Sequence, residues 1–214
     1  MILKADYIAK LLDDGRRDVS PNSLCITPLP NLEELKTSGS ASVDLRLGTW
    51  FMTLREARMT HMAPDDQMPE SHPQLTKTHY VRFGGRYTLH PGSFVLSSTL
   101  EWIRLPNNLA AYVIGRSSWG RRGLIIATAT GVHPCFTGCL TLELTNVGEL
   151  PICIYPGMTI CQLFFHQVQP GESDATDHSQ FVCTRKPSVG EIRLKNDLFA
   201  WNLANAYAPL QQLP

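Results

Sequence analysis

Apolar and polar positions alternate in short bursts along most of the chain, with the period of two that a half-buried β-strand requires. In Ala41-Ser42-Val43-Asp44-Leu45-Arg46-Leu47-Gly48, residues Val43, Leu45 and Leu47 fall on one side, and Trp50, Phe51 and Met52 start the next strand. Strand patterns return at Tyr80–Phe83, Tyr87–Leu89, Phe94–Leu100, Leu109–Ile114, Leu124–Ala127, Leu140–Thr145, Pro151–Tyr155 and Met158–Phe165. Gly84-Gly85, His90-Pro91-Gly92, Leu105-Pro106-Asn107-Asn108 and Pro156-Gly157 separate them as turns. Short strands spaced about ten residues apart predict an all-β sandwich or barrel.

Helical spacing is confined to the two ends. Asp6 can cap a short helix with Tyr7, Ile8, Leu11 and Leu12 on one face and Gly15 just past its end. Residues 16–40 read as an irregular connection. From 56 to 78 methionines and prolines break the pattern, and the stretch reads as a long surface excursion. Residues 169–190 are polar and loop-like, and Glu191 to Asn205 predicts a C-terminal helix carrying Leu194, Leu198 and Trp201. No internal repeat is visible. The 214 residues read as a single domain with an irregular insertion and a divergent segment over 169–214.

Composition narrows the class. An apolar share of 43% supports a real core, and 19 basic residues balance 19 acidic ones. That balance argues against a general nucleic-acid or membrane surface, so any anion recognition must be local. With no run of about 18 apolar residues and no signal-like apolar segment, the expected location is cytoplasmic. Cys25, Cys135, Cys139, Cys153, Cys161 and Cys183 lie mostly in apolar stretches, as reduced, buried thiols do.

Two features carry chemistry. Gly115-Arg116-Ser117-Ser118-Trp119-Gly120-Arg121-Arg122-Gly123 is a dense cationic loop between two apolar runs. Glycines let backbone N–H groups approach a ligand, and guanidinium forks match phosphate oxygens; a solvated turn with surface arginines is the plain alternative. Glu143 shares one strand face with Thr141 and Thr145, opposite Leu140, Leu142 and Leu144. A carboxylate there is either an exposed edge-strand residue or one that is paired or used.

A zinc deaminase would place H-x-E before P-C-x-x-C. Pro134-Cys135-Phe136-Thr137-Gly138-Cys139 has C-x-x-x-C spacing, and no histidine is followed two residues later by glutamate. A zinc site from His133, Cys135 and Cys139 is therefore disfavoured against cysteines packed in a β-core.

Taken together, the 41–48 strand, Leu89-His90-Pro91-Gly92, GRSS-x-G-R-x-GL from Gly115, Thr141-Leu142-Glu143-Leu144 and Pro156-Gly157-Met158-x-Ile160-x-Gln162-Leu163 resemble the dCTP deaminases, in the fold superfamily of the trimeric dUTPases. The resemblance implies a distorted jelly-roll or β-barrel with a short N-terminal helix, assembled as a homotrimer with shared active sites. It implies Glu143 as the group that activates water for attack on cytosine C4 and moves protons. Ser117 and Arg121 would orient water and glutamate, with Arg116, Ser118, Trp119 and Gly120 in the phosphate-binding loop. Thr141 and Leu142 would read the pyrimidine, with Gln162 also at the site, and magnesium would arrive on the nucleotide, with no zinc.

The chain also departs from the family. His133 stands where the family has an aspartate that holds the deoxyribose, with Phe136 offering a ring beside it. The family's C-terminal tyrosine and glutamine have no counterpart, although Arg185 and Lys186 supply charge. The 56–78 excursion has none either. The expected function is zinc-independent deamination of dCTP to dUTP and ammonia. A dUTP pyrophosphatase or bifunctional enzyme comes second. A nucleotide-binding trimer without turnover comes third, and the retention of Glu143 and Arg121 argues against it.

Overall fold

The segment predicted as one strand and the start of another is a single strand, β2 (Ser42–Leu54). Gly48 permits this. A Cβ there would lie 2.7 Å from the Ser98 carbonyl oxygen, so only glycine lets the neighbouring strand come so close. The register with that neighbour slips between Leu47 and Phe51, which bends the strand without ending it. The computed structural model describes residues 1–17, 20, 22–54, 76–128, 131–169 and 183–189. The expected C-terminal helix over 191–205 lies outside them, as does most of the 56–78 excursion.

The other described elements, in chain order, are α1 (Ala5–Arg17), β1 (Cys25–Thr27), α2 (Leu32–Thr37), β3 (Thr76–Tyr80), β4 (Tyr87–Leu89), β5 (Phe94–Arg104), β6 (Leu109–Gly115), α3 (Ser117–Gly120), β7 (Leu124–Ile126), β8 (Gly131–Val132), β9 (Thr137–Asn146), β10 (Ile152–Ile154) and β11 (Thr159–Gln167). The large sheet runs β7-β9-β5-β2-β11-β6-β8, with β1 added to β5 and β3 to β2, and β4 pairs with β10 separately. Its ladders are antiparallel. The fold is mostly β and its sheet curls as a half-barrel around one core.

Alternation explains that core. Val43, Leu45 and Leu47 of β2, Ala111 and Val113 of β6, Leu142 and Leu144 of β9, and Leu163 and Phe165 of β11 are all at most 3% exposed and belong to one cluster. Burying each large side chain contributes about 1.5–3 kcal/mol.

Three expectations need correction. Helix α1 runs through Gly15 and buries Ala5, Ile8, Ala9 and Leu12, leaving Tyr7 half exposed. Gly15 is required by packing, since a Cβ would sit 2.3 Å from the Leu24 carbonyl oxygen. The connection over 16–40 contains β1 and α2; Asn31 caps α2 by accepting from the Glu33 and Glu34 N–H groups at 3.2 and 3.3 Å. Residues 81–83 leave the sheet, and the strand before them is β3 instead.

Candidate active site

Strand β9 sets the position of Glu143. Thr141, Glu143 and Thr145 are half-buried, while Leu140, Leu142 and Leu144 are buried in the core. Glu143 stands opposite Leu96 of β5, which stands opposite Met52 of β2, which stands opposite Thr78 of β3. The Glu143 N–H donates to Thr128 Oγ1 at 2.8 Å, and its carbonyl accepts from the Ala127 N–H at 2.8 Å, so the backbone is held on the β7 side. Among the described residues its carboxylate has no ion-pair or hydrogen-bond partner.

The cationic loop is more ordered than an open glycine turn. After β6, Arg116 opens the single helical turn α3, with Trp119 and Gly120 N–H groups donating to the Arg116 carbonyl at 3.0 and 3.1 Å. The Arg121 N–H donates to the Ser117 carbonyl at 3.0 Å. Trp119 is an anchor that turns inward: its Nε1 donates to the Thr159 carbonyl at 3.1 Å and its ring packs on the core. Arg122 lies over that ring, 5.9 Å from the centroid, and donates to the Ser118 carbonyl at 2.7 Å. Ser117, Ser118, Gly120 and Arg121 are exposed. Within the chain the Arg121 guanidinium does not reach Glu143, and among the described residues it too lacks a side-chain partner.

Arg116 and Gln162 meet through a residue that the site reading missed. Arg116 Nη1 donates to Asp44 Oδ2 at 2.6 Å, and Gln162 Nε2 donates to Asp44 Oδ1 at 3.0 Å. Asp44 was visible only as the polar position of an alternating strand. Nothing local marks which residue faces it across β11.

His133 is exposed. Phe136 is 8% exposed and sits in the core, and its carbonyl accepts from the Leu105 N–H at 2.8 Å. Its ring packs inward among apolar side chains. Cys139 is buried, which pushes its thiol up to about 11 despite the opposing Arg185 charge. Among the described residues, His133, Cys135 and Cys139 do not form a metal-holding group.

Residues 183–189 return to β9. The Cys183 N–H donates to the Thr137 carbonyl at 2.6 Å and the Cys139 N–H to the Thr184 carbonyl at 2.9 Å. The Arg185 carbonyl accepts from Ser98 Oγ at 3.1 Å, and Ser98 stands opposite Thr141, two residues from Glu143. Lys186 Nζ lies 4.2 Å from the Trp50 ring centroid, and Arg185 Cζ lies 5.4 Å from that of Trp102.

With this geometry the chain can be compared with known proteins. A family model described as dCTP deaminase-like matches residues 2–168. The chain belongs to the dCTP deaminase-like family. Among its relatives, the dUMP-forming dCTP deaminase of Dictyoglomus thermophilum is 38% identical over 175 residues, covering 81% of this chain and 84% of that protein. The dUMP-forming dCTP deaminase of Methanobrevibacter smithii is 32% identical over 202 residues, covering 92% and 98%. The crystal structure of 2′-deoxycytidine 5′-triphosphate deaminase from Agrobacterium tumefaciens superposes with a TM-score of 0.56 at 20% identity. It aligns with 77% of this chain, which spans 46% of the length of that one, and the likeness establishes the fold. The family model ends before residues 183–189, whereas the alignment with the Methanobrevibacter smithii protein covers 92% of the chain.

Proposed function

We propose that this protein deaminates dCTP and carries the product on to dUMP. The observation that carries the reading is Glu143, a carboxylate without a partner among the described residues, half-buried on a sheet face in a chain of the dCTP deaminase-like family. Its role is that of the general base and acid. It takes a proton from a water attacking cytosine C4 and delivers it to N3. The second proton goes to the exocyclic amine, which leaves as ammonia, so dCTP and water give dUTP and ammonia. A second water then attacks the α-phosphorus of dUTP, giving dUMP and pyrophosphate.

The first expectation stopped at dUTP. The names of the two relatives, both dUMP-forming, favour the bifunctional reading instead. In this reading Arg116, Ser117 and Ser118 hold phosphate oxygens, Thr141 and Leu142 read the pyrimidine through their backbone, and His133 faces the sugar. Magnesium enters as part of the substrate, bound to its phosphates, and zinc takes no part.

Arg121 and Glu143 are complementary groups that find no side-chain partner among the described residues of one chain. This supports a homotrimer in which Arg121 and Ser117 of one copy meet Glu143 of the next. Among the described residues no helix is long and apolar enough to cross a membrane; we place the enzyme in the cytoplasm, acting on free nucleotides.

The test is to incubate the protein with dCTP and magnesium and to follow ammonia, dUTP, dUMP and pyrophosphate together. Equal yields of ammonia and pyrophosphate with dUMP support the proposal. Ammonia with dUTP alone reduces it to the deaminase step, and absence of ammonia overturns it.

A further inference from the structure

We infer that Asp44 is a positioning residue that holds Arg116 ready for the nucleotide's phosphates, and that Gln162 serves this arrangement by orienting Asp44. The inference rests on the phosphate-binding role proposed above for Arg116. Its geometry is set by the sheet. Asp44 of β2 stands opposite Gln162 of β11, and Gln162 stands opposite Ile114 of β6. Arg116 follows Ile114 by two residues, just past the end of β6, where its N–H donates to the Ile160 carbonyl at 3.2 Å. The backbone of Arg116 is thereby fixed to β11, and its side chain reaches back over β11 to β2.

One oxygen of Asp44 takes the Arg116 Nη1 at 2.6 Å and the other takes the Gln162 amide at 3.0 Å. The carboxylate is held from both sides and cannot swing without losing one of them. Among the described residues a single guanidinium nitrogen of Arg116 is engaged, which leaves the other edges of the fork for a ligand. The Arg116 side chain stays 37% exposed and the Asp44 side chain 46%, so the pair is open to an incoming nucleotide. An exposed ion pair adds little to folding stability. Its effect is to reduce the freedom that a long, flexible side chain must lose when it binds an anion. Gln162, expected at the substrate, donates one amide N–H to Asp44, which leaves its second N–H and its carbonyl oxygen for a ligand.

The test uses Asp44→Asn, Asp44→Ala and Gln162→Ala in the full-length protein. With dCTP, Asp44→Ala should raise KM roughly three- to ten-fold while kcat stays within about twofold, and Asp44→Asn should recover part of the loss. Gln162→Ala should follow in the same direction with a smaller effect. For dCMP, which lacks the outer phosphates, the KM change should shrink. In a Glu143→Gln background, where no turnover interferes, dCTP affinity measured by calorimetry should fall by the same factor as KM rises. An unchanged KM and affinity would overturn the inference, and so would tighter binding by Asp44→Ala, which would make Asp44 a competitor for Arg116. Wild-type protein that produces no ammonia from dCTP would instead count against the proposed function, leaving the calorimetric arm to judge Asp44 alone.

Discussion

Arg46 donates to the buried carboxylate of Glu101 twice, from its backbone N–H at 2.8 Å and from Nε at 2.7 Å. Glu101 sits in β5 between Ser98 and Trp102, where the register with β9 shifts, and its side chain is 4% exposed against 39% for Arg46. The bend in the sheet turns an acidic residue inward, and Arg46 is what makes that tolerable. Removing one partner of a buried pair leaves the other's desolvation uncompensated.

Arg46→Ala is therefore expected to lower unfolding free energy by about 2–4 kcal/mol, somewhat below the full range for a buried pair because the backbone N–H bond survives. Glu101→Ala should cost less than Arg46→Ala, since the half-exposed guanidinium can turn to water while the Arg46 N–H loses its acceptor. Urea denaturation checks both. If Arg46→Ala unfolds at the wild-type midpoint, the pair is not stabilising.

This pair also shows where the sequence was legible and where it was not. Alternation placed the core faces of β2 and β9 correctly over 43–47 and 140–144, where the period of two holds. The resemblance identified the family from motifs that the structure brings onto adjoining strands. Glu101 and Asp44 were not recognisable. Their roles come from partners 55 and 72 residues away in sequence, brought close by strand pairing and by a bulge. Gly15 shows the same limit: read as a helix stop, it is set by the approach of Leu24 instead.

Glu143→Gln is expected to abolish deamination, with a loss of roughly 10²–10⁴ in kcat, while dCTP binding falls by less than about threefold. Because the carboxylate has no partner among the described residues of its own chain, and Gln can still accept from Arg121 of the next copy, stability should move by no more than about 1 kcal/mol. Ammonia release and thermal melting on the same preparation separate the two effects. A large drop in melting temperature would mean that Glu143 is structural.

Cys161 gives the alkaline limb of stability. It is fully buried in β11, and burial, with the nearby Glu101 and Asp44 charges adding to it, pushes its thiol from about 9 up to about 12. A thiol raised in the folded state binds its proton more tightly there than in the unfolded chain. Its stabilising contribution is thus complete below the unfolded value and is lost as pH climbs from about 9 towards 12, by up to roughly 1.4 kcal/mol per unit. Urea midpoints at about pH 8 and about pH 10.5 should fall more steeply for wild type than for Cys161→Ala. Equal slopes in the two proteins would show that the thiol ionises freely in the fold.

The cationic turn holds two glycines that should respond oppositely to alanine. Gly123 has φ +90°, and a Cβ there would meet the Gly148 nitrogen at 2.7 Å, with the Gly123 carbonyl already accepting from the Val147 N–H at 2.9 Å. Neither the dihedral nor the contact can relax without shifting two pieces of backbone, so Gly123→Ala should cost about 2–4 kcal/mol. Gly120 closes α3 at an ordinary dihedral with nothing within 4 Å of an added Cβ. Gly120→Ala restricts the unfolded chain without a steric penalty and should be neutral or stabilise by up to about 1 kcal/mol. Parallel urea titrations decide the matter: equal destabilisation by both would mean that the turn tightens around Gly120 in solution, while tolerance at Gly123 would mean that the turn does not rest on Gly148.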